Sequence, residues 1–342
     1  MPARWLDLIR GRQASVVFPD AADARVLAAA ARLVSERLAQ PVLIGRSEEL
    51  NLLAADAGER MPEGVEVVDP EEAAADVDLD VALRRVYADG GGVLSDAEAR
   101  RLLADPLILG MLLVRAGRVD ACVAGNRSRT SDVLRAGIRV LGVAEGIDTV
   151  SGSFLLTLPD GRMVTYGDCA VLPDPDAEQL AAVAIASAAT HEILTGEQPI
   201  VAMLSFSTKA SAEHASVEKV RRATGLACRR RPDLEIDGEL QFDAAIDQQV
   251  AAAKAPGSRV AGRANVFVFP NLDAGNIAYK LTQRLGHAQA YGPLLQGLAH
   301  PLSDLSRGCS TDDIVAVAII TALQGVGSGD SRRCRSKPER KP

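Results

Sequence analysis

The chain has 342 residues, with 38 Lys and Arg against 45 Asp and Glu for a formal net charge of −7, and 47% of its residues are hydrophobic. That length suits two domains or one large one, and the composition is that of a globular chain able to bury a core without disulfide staples. No apolar run reaches the roughly 18–20 residues that span a bilayer, and an acidic chain with 3% aromatics suits neither phosphate-backbone binding nor base stacking. The expectation is therefore no membrane and no nucleic-acid partner. Cys122, Cys169, Cys228, Cys309 and Cys334 form no C-x-x-C pair. Odd, isolated thiols behind no signal-peptide pattern fit a reducing cytoplasm. His191, His214, His287 and His300 lack zinc-type spacing, so no metal is expected.

Short β-rich runs alternate with longer Ala/Leu-rich ones, the pattern of an α/β fold with a largely parallel sheet. Strands are expected at 14–19, 41–45, 64–68 and 119–125. Helices are expected over 23–38, over 95–115 with Gly117 just past the end, and from about Ser131. At 149–169 two β-rich runs flank Pro159-Asp160-Gly161, which reads as an antiparallel hairpin. Asp174 and Pro175 then look like the N-cap and first residue of a helix that stops before Gly196. Further strands are expected at 200–206, 265–269 and 290–296, and a last helix from Thr311 to Leu323. The arrangement expected is two three-layer α/β/α lobes with a cleft between them, the second inserted into the first. Residues 1–146 plus 296–325 would form one lobe and 147–295 the other. The Gly/Ser/Arg/Lys-rich residues 326–342 read as a disordered basic tail.

There is no G-x-x-x-x-G-K-[ST] loop and no G-x-S-x-G elbow, which disfavours P-loop hydrolases and that class of serine hydrolase. The most informative stretch is Asp304-Leu305-Ser306-Arg307-Gly308-Cys309-Ser310-Thr311-Asp312-Asp313. A polar loop there enters a helix whose free N–H groups favour an anion, Arg307 can add a bidentate phosphate contact, and Asp313 can accept a proton. Ser310-x-x-Asp313 equally fits a capping box, which would make Asp313 structural. The second stretch, Gly125 to Arg135, carries Arg127, Arg129 and Arg135 in a strand-to-helix loop, where open α/β sheets place ligands. A solvated loop paired with Asp132 accounts for it as well. The third, Leu204 to Ala212, offers Ser205, Ser207, Thr208 and Lys209 after an apolar strand, although such loops more often cap helices.

Taken together, several ordered segments resemble the phosphate acetyl/butyryl transferase family from about Val17 to Leu323. They are Asp168-Cys169-Ala170 through Asp174-Pro175-Asp176-Ala177-Glu178, then Met203 to Thr208, and Arg231 to Ala245. Pro270 to Asn276, Gly292-Pro293-Leu294-Leu295-Gln296-Gly297, and Leu305 to Ser310 complete the set. The resemblance is nearest to the branch acting on acetyl groups. It implies reversible transfer of acetyl between CoA and inorganic phosphate, in a two-domain homodimer with an interdomain site. It implies no metal and no cofactor, coenzyme A being a substrate. Ser306, Arg307 and Asp313 fall on the family's catalytic serine, arginine and aspartate, while Arg84 and Arg135 fall on arginines implicated in substrate and CoA binding. Thr130, Ser207 and Thr208 join them as candidate binding residues.

The sequence departs from the family pattern at Ser128-Arg129, where a His-Ser pair is usual, and at Ser303, Ala210 and His287, where Asn, Gly and Gly are usual. The implied mechanism has Asp313 take the CoA thiol proton, Arg307 bind the phosphoryl oxygens and Ser306 hydrogen-bond the tetrahedral centre. The rival readings are a phosphate butyryltransferase with a larger acyl pocket and a non-catalytic acyl-CoA-sensing domain. A third, a metal-dependent decarboxylating dehydrogenase, lacks clustered metal-binding aspartates.

Overall fold

The computed structural model describes residues 1–327 apart from 11 and 59; the expected disordered tail lies outside them from residue 328 onward. The chain opens with α1 (Ala3–Arg10), β1 (Ser15–Phe18), α2 (Ala24–Ser35), β2 (Gln40–Ile44), α3 (Ser47–Asp56) and β3 (Glu66–Val68). Four helices follow, α4 (Pro70–Ala73), α5 (Val77–Asp89), α6 (Asp96–Leu103) and α7 (Pro106–Arg115), then β4 (Ala121–Ala124) and α8 (Thr130–Val140). Next come β5 (Ser151–Thr157), β6 (Met163–Gly167), α9 (Ala177–Thr195), β7 (Ile200–Leu204), α10 (Ala215–Arg230) and β8 (Glu235–Leu240). The last elements are α11 (Phe242–Ile246), α12 (Gln248–Lys254), β9 (Val266–Val268), α13 (Leu272–Arg284), β10 (Gln289–Gln296), β11 (Leu302–Asp304) and α14 (Thr311–Gly327).

All the strands among the described residues join one 11-stranded sheet in the order β3-β2-β1-β4-β11-β10-β5-β6-β9-β7-β8. Two parallel wings, β3 to β11 and β6 to β8, meet at an antiparallel seam where β10 pairs with both β11 and β5, and β5 pairs with β6. The fold is therefore mixed α/β with a mostly parallel sheet. In the expected division the two lobes would each have a sheet; here a single sheet runs through both halves of the chain. Along a strand, successive side chains face opposite sides. Val16 and Phe18 accordingly join α2 and α14 in one core, while Val17 packs with α7 and α8 in another. The far wing repeats the device, with Ala202 and Phe267 on one face and Val201 and Val266 against α9 and α10 on the other.

The seam is polar inside. Gln296, 6% exposed, donates to Ser153 at 2.9 Å and Thr190 at 2.6 Å and accepts from Ser151 at 3.2 Å. The two stretches that carry the chain between wings also pair with each other. Val143 bridges Leu298, and Ala144 and Ala299 donate their amides to Gly297 and Gly142.

Three local expectations change. The helix expected over 95–115 is two, because Pro106 has no N–H to continue the ladder and Asp105 starts a new helix by accepting from Leu107 and Ile108. The cap of α9 is Asp176, not Asp174. Asp176 and Gln179 form a reciprocal capping box at 2.9 Å, whereas Asp174 pairs with Lys219 at 2.6 Å. The last helix runs beyond Leu323 to Gly327. No helix among the described residues is long and apolar enough to cross a membrane.

Candidate active site

Parallel strands end together and leave a crevice at their carboxyl edge, where the following loops and helix starts supply polar groups. A cavity of about 490 Å³ occupies that position. From the first wing it takes Gly125 after β4, Thr130 at the start of α8, and the turn Leu305 to Cys309 with Asp313 between β11 and α14. From the seam it takes Phe154 on β5 and Tyr291 on β10, and from the second wing side Cys169 after β6 with Tyr279, Lys280 and Arg284 on α13.

The turn is built from backbone outward. Leu305 donates to Ala124 O at 2.7 Å, extending the β11–β4 ladder by one residue, and Cys309 N closes back on Ser306 O at 2.9 Å. Ser306 and Arg307 are left exposed between these fixed points. Arg25 on α2 braces the turn from behind, its Nη1 donating to the carbonyls of Arg307 at 2.9 Å and Cys309 at 2.7 Å. Asp23 neutralises Arg25 at 2.6 Å and also accepts from Asn126 Nδ2 at 3.1 Å. Burial pushes the Asp23 carboxyl upward, but the bonds from Arg25 and Asn126 together outweigh it and hold that carboxyl below its usual value. Arg25 was not among the expected site residues. Its signal is an arginine two residues into a helix after an aspartate cap, a pattern common on ordinary surfaces.

The arginine loop hangs on Asp20. That carboxylate accepts the amides of Gly125 at 2.9 Å, Ser128 at 3.1 Å and Arg127 at 3.3 Å, and the Ser128 hydroxyl at 2.7 Å. Ser128, one of the departures from the family pattern, is thus held in place here by its own hydroxyl. Asp313 is a helix cap that also stands at the cavity. Its Oδ2 accepts from the Ser310 amide and hydroxyl, each at 2.9 Å, as a capping box requires, and its side chain also borders the cavity.

The remaining expected site residues lie away from this cavity. Arg84 on α5 is tied to Asp80 and Asp96 at 2.7 Å and to Leu94 O, binding α5 to the start of α6. Arg135 pairs with Asp132 at 3.0 Å and is 73% exposed. Ser207 donates to buried Glu239 at 3.0 Å, and Thr208 bonds Gln241. The hydroxyls of that loop are spent on β8 and the residue after it. Arg307 and Arg284 have no carboxylate partner among the described residues, so the cavity wall carries unneutralised positive charge. Among those residues no group of three or more His, Cys, Asp or Glu is placed to hold a metal ion.

The sequence profile of the family described as Phosphate acetyl/butaryl transferase matches residues 4–322. The chain belongs to this phosphate acetyl/butyryl transferase family. It is 45% identical over 316 residues to a phosphate acetyltransferase from Acetivibrio thermocellus, covering 91% of this chain and 93% of that one. A longer phosphate acetyltransferase, from Escherichia coli, is 42% identical over 93% of this chain, which spans 44% of it. A crystal structure of a phosphotransacetylase from Streptococcus pyogenes superposes with a TM-score of 0.88 at 41% identity, over 96% of this chain and all of that one. Structures of more distant members keep only the fold: a branched-chain phosphotransacylase from Enterococcus faecalis aligns at 18% identity and a TM-score of 0.66.

Proposed function

We propose that the chain is a phosphate acetyltransferase that interconverts acetyl-CoA and phosphate with CoA and acetyl phosphate. The observation that carries the reading is that Ser306, Arg307 and Asp313 border one cavity with two cations of α13, Lys280 and Arg284, that have no carboxylate partner among the described residues, in a chain of this family. A phosphate-bearing substrate needs that excess of positive charge, and a planar guanidinium suits phosphoryl oxygens.

In the proposed reaction Asp313 accepts the thiol proton of CoA and the sulfur attacks the carbonyl carbon of acetyl phosphate. The bond from that carbon to the phosphate oxygen breaks, and phosphate leaves with its electron pair. Arg307 binds the departing phosphoryl oxygens, and Ser306 hydrogen-bonds the tetrahedral centre. An ordinary thiol titrates about five units above an ordinary carboxylate. Arg307, Lys280 and Arg284 narrow that gap from the thiol side by favouring thiolate. Thr130, which borders the cavity, belongs to the binding set. Arg84, Arg135, Ser207 and Thr208 lie outside it.

The two wings of the sheet are read as two lobes, the second inserted into the first between 146 and 296, with the cavity as the cleft between them. The expected homodimer finds support in α13. Its inner side borders the cavity, while Ile277, Leu281 and Leu285 on the other side are 57%, 52% and 75% exposed. Leu281→Glu should halve the mass measured by light scattering if a second copy covers this face.

The deciding experiment is CoA-dependent consumption of acetyl phosphate beside butyryl phosphate, with Arg307→Ala as control. Turnover of acetyl phosphate that falls by about 10³-fold in the control is the expected result. Preference for butyryl phosphate would move the chain to the other branch. Tight acetyl-CoA binding without turnover would make it a sensing domain.

A further inference from the structure

Asp304 ends β11 and immediately precedes the Leu305-Ser306-Arg307 turn. It is 1% exposed yet borders the cavity. Its Oδ2 accepts the Thr130 hydroxyl at 2.6 Å, across 174 residues of sequence, while its Oδ1 has no hydrogen-bond partner among the described residues. Thr130 is the first residue of α8, directly after the arginine loop. This bond therefore ties together the two loops that line the first-wing side of the cavity. The backbone closes over it: a Cβ on Gly125 would stand 2.0 Å from Asp304 Oδ1. None of the chemistry proposed above uses this carboxyl, and a buried carboxyl half without partners costs stability unless something is gained by it.

We propose that Asp304 is a positioning residue for the acetyl transfer: through Thr130 it fixes the distance between the Ser306–Arg307 turn and the first turn of α8. The inference rests on the functional reading above and extends it to a residue outside the Ser306, Arg307 and Asp313 set. A small displacement between groups that hold the two reacting partners costs rate far more than it costs affinity.

The strength of the tie depends on ionisation, because a hydroxyl bonds a carboxylate more strongly than a neutral acid. Burial, reinforced by the charge of Asp20, raises the Asp304 carboxyl to about 6, against the opposing bonds from Thr130 and the Leu305 amide. The titratable and charged groups around it come from every neighbouring element. Asp20 follows β1, with Asp23 and Arg25 beside it at the start of α2, and Cys122 lies on the paired strand β4. Arg307, Cys309 and Asp313 follow on the turn and α14, and Tyr291 on β10 with Lys280 and Arg284 on α13 face across from the other side of the cavity. Above pH 6 the carboxylate grips Thr130; below it the grip weakens and the loops loosen.

The test is steady-state turnover of acetyl phosphate from pH 5 to 9 for wild type, Asp304→Asn, Thr130→Val, Thr130→Ser and the double variant Asp304→Asn/Thr130→Val, each checked for folding by thermal melting. The expected result is a wild-type kcat that falls below pH 6, and a kcat at least about tenfold lower in Asp304→Asn without that inflection. In Asp304→Asn, which leaves the binding set intact, KM for CoA should stay within about twofold. In kcat, Thr130→Val should match Asp304→Asn, Thr130→Ser should recover most of the loss, and the double variant should be no worse than either single one. Single variants that keep the wild-type kcat and pH profile, or losses that multiply in the double variant, overturn the proposal alone. A wild type that does not consume acetyl phosphate overturns the functional reading and the proposal together.

Discussion

Arg25 contributes geometry rather than charge to the site, since its guanidinium is already balanced by Asp23 and spends Nη1 on two carbonyls of the turn. Arg25→Ala should lower kcat/KM by about 10–100-fold through loosening of the turn. Thermal stability should fall by only about 1–2 kcal/mol, the size of the lost hydrogen bonds. Gly125 is the opposite case, a residue whose lack of a side chain is the contribution. Its φ of +99° and the 2.0 Å approach to Asp304 leave no room for a methyl. Gly125→Ala should cost about 2–4 kcal/mol in a denaturant titration, more than an ordinary glycine substitution, because strain and collision act together.

At the scale of elements the turn before α14 separates two roles for one carboxylate. Ser310→Ala removes the hydroxyl's bonds with the Asp313 carboxylate and amide, keeps the amide bond from residue 310, and should cost about 1 kcal/mol of stability. If Asp313 served only as a cap, Asp313→Asn would cost no more turnover than Ser310→Ala. We expect it to cost at least about 100-fold more in kcat. The same elements show what a sequence reveals. The β5–β6 hairpin was readable because Pro159-Asp160-Gly161 is a turn with a mechanism, and α14 because a polar loop enters an apolar helix. β11 was not: its three residues carry no period, and it is a strand only because β4 and β10 offer it edges on both sides. The break at Pro106 was written in the sequence and outweighed by the apolar run around it. Within the site, the contiguous Ser306 to Asp313 stretch was legible because one turn contains it. Ser207 and Thr208 also offer hydroxyls to an anion, although such loops more often cap helices. Only the positions of Glu239 on the neighbouring strand and of Gln241 just after it show that the hydroxyls of Ser207 and Thr208 are engaged elsewhere.

For the whole molecule, two buried groups set stability against pH in opposite senses. His191, with no exposure, is pushed by burial from 6.5 down to about 4. Between those values the unfolded chain holds a proton that the folded one lacks, so stability falls as pH drops through the window. Asp304 runs the other way. Raised from 3.8 to about 6, it keeps a proton when folded that the unfolded chain loses, so stability falls as pH rises through its window. The two largely offset between pH 4 and 6. Asp304→Asn should therefore steepen the loss of melting temperature on acidification, a change that a pH series of thermal melts would register.

The insertion of β11 between β4 and β10 also governs the order in which the fold can be finished. Domains generally fold as their residues leave the ribosome, N-terminal parts first. Here the first wing cannot close until residues 302–304 arrive, after every strand of the second wing has been made. Until then the wholly buried strand β4 has one edge without its partner, and the core that α14 covers is open to water. A nascent chain stalled before residue 300 should thus carry a complete second wing beside a first wing prone to pairing with other chains. The last strand to be synthesised is the one that both closes the sheet and delivers Ser306 and Arg307 to the cavity.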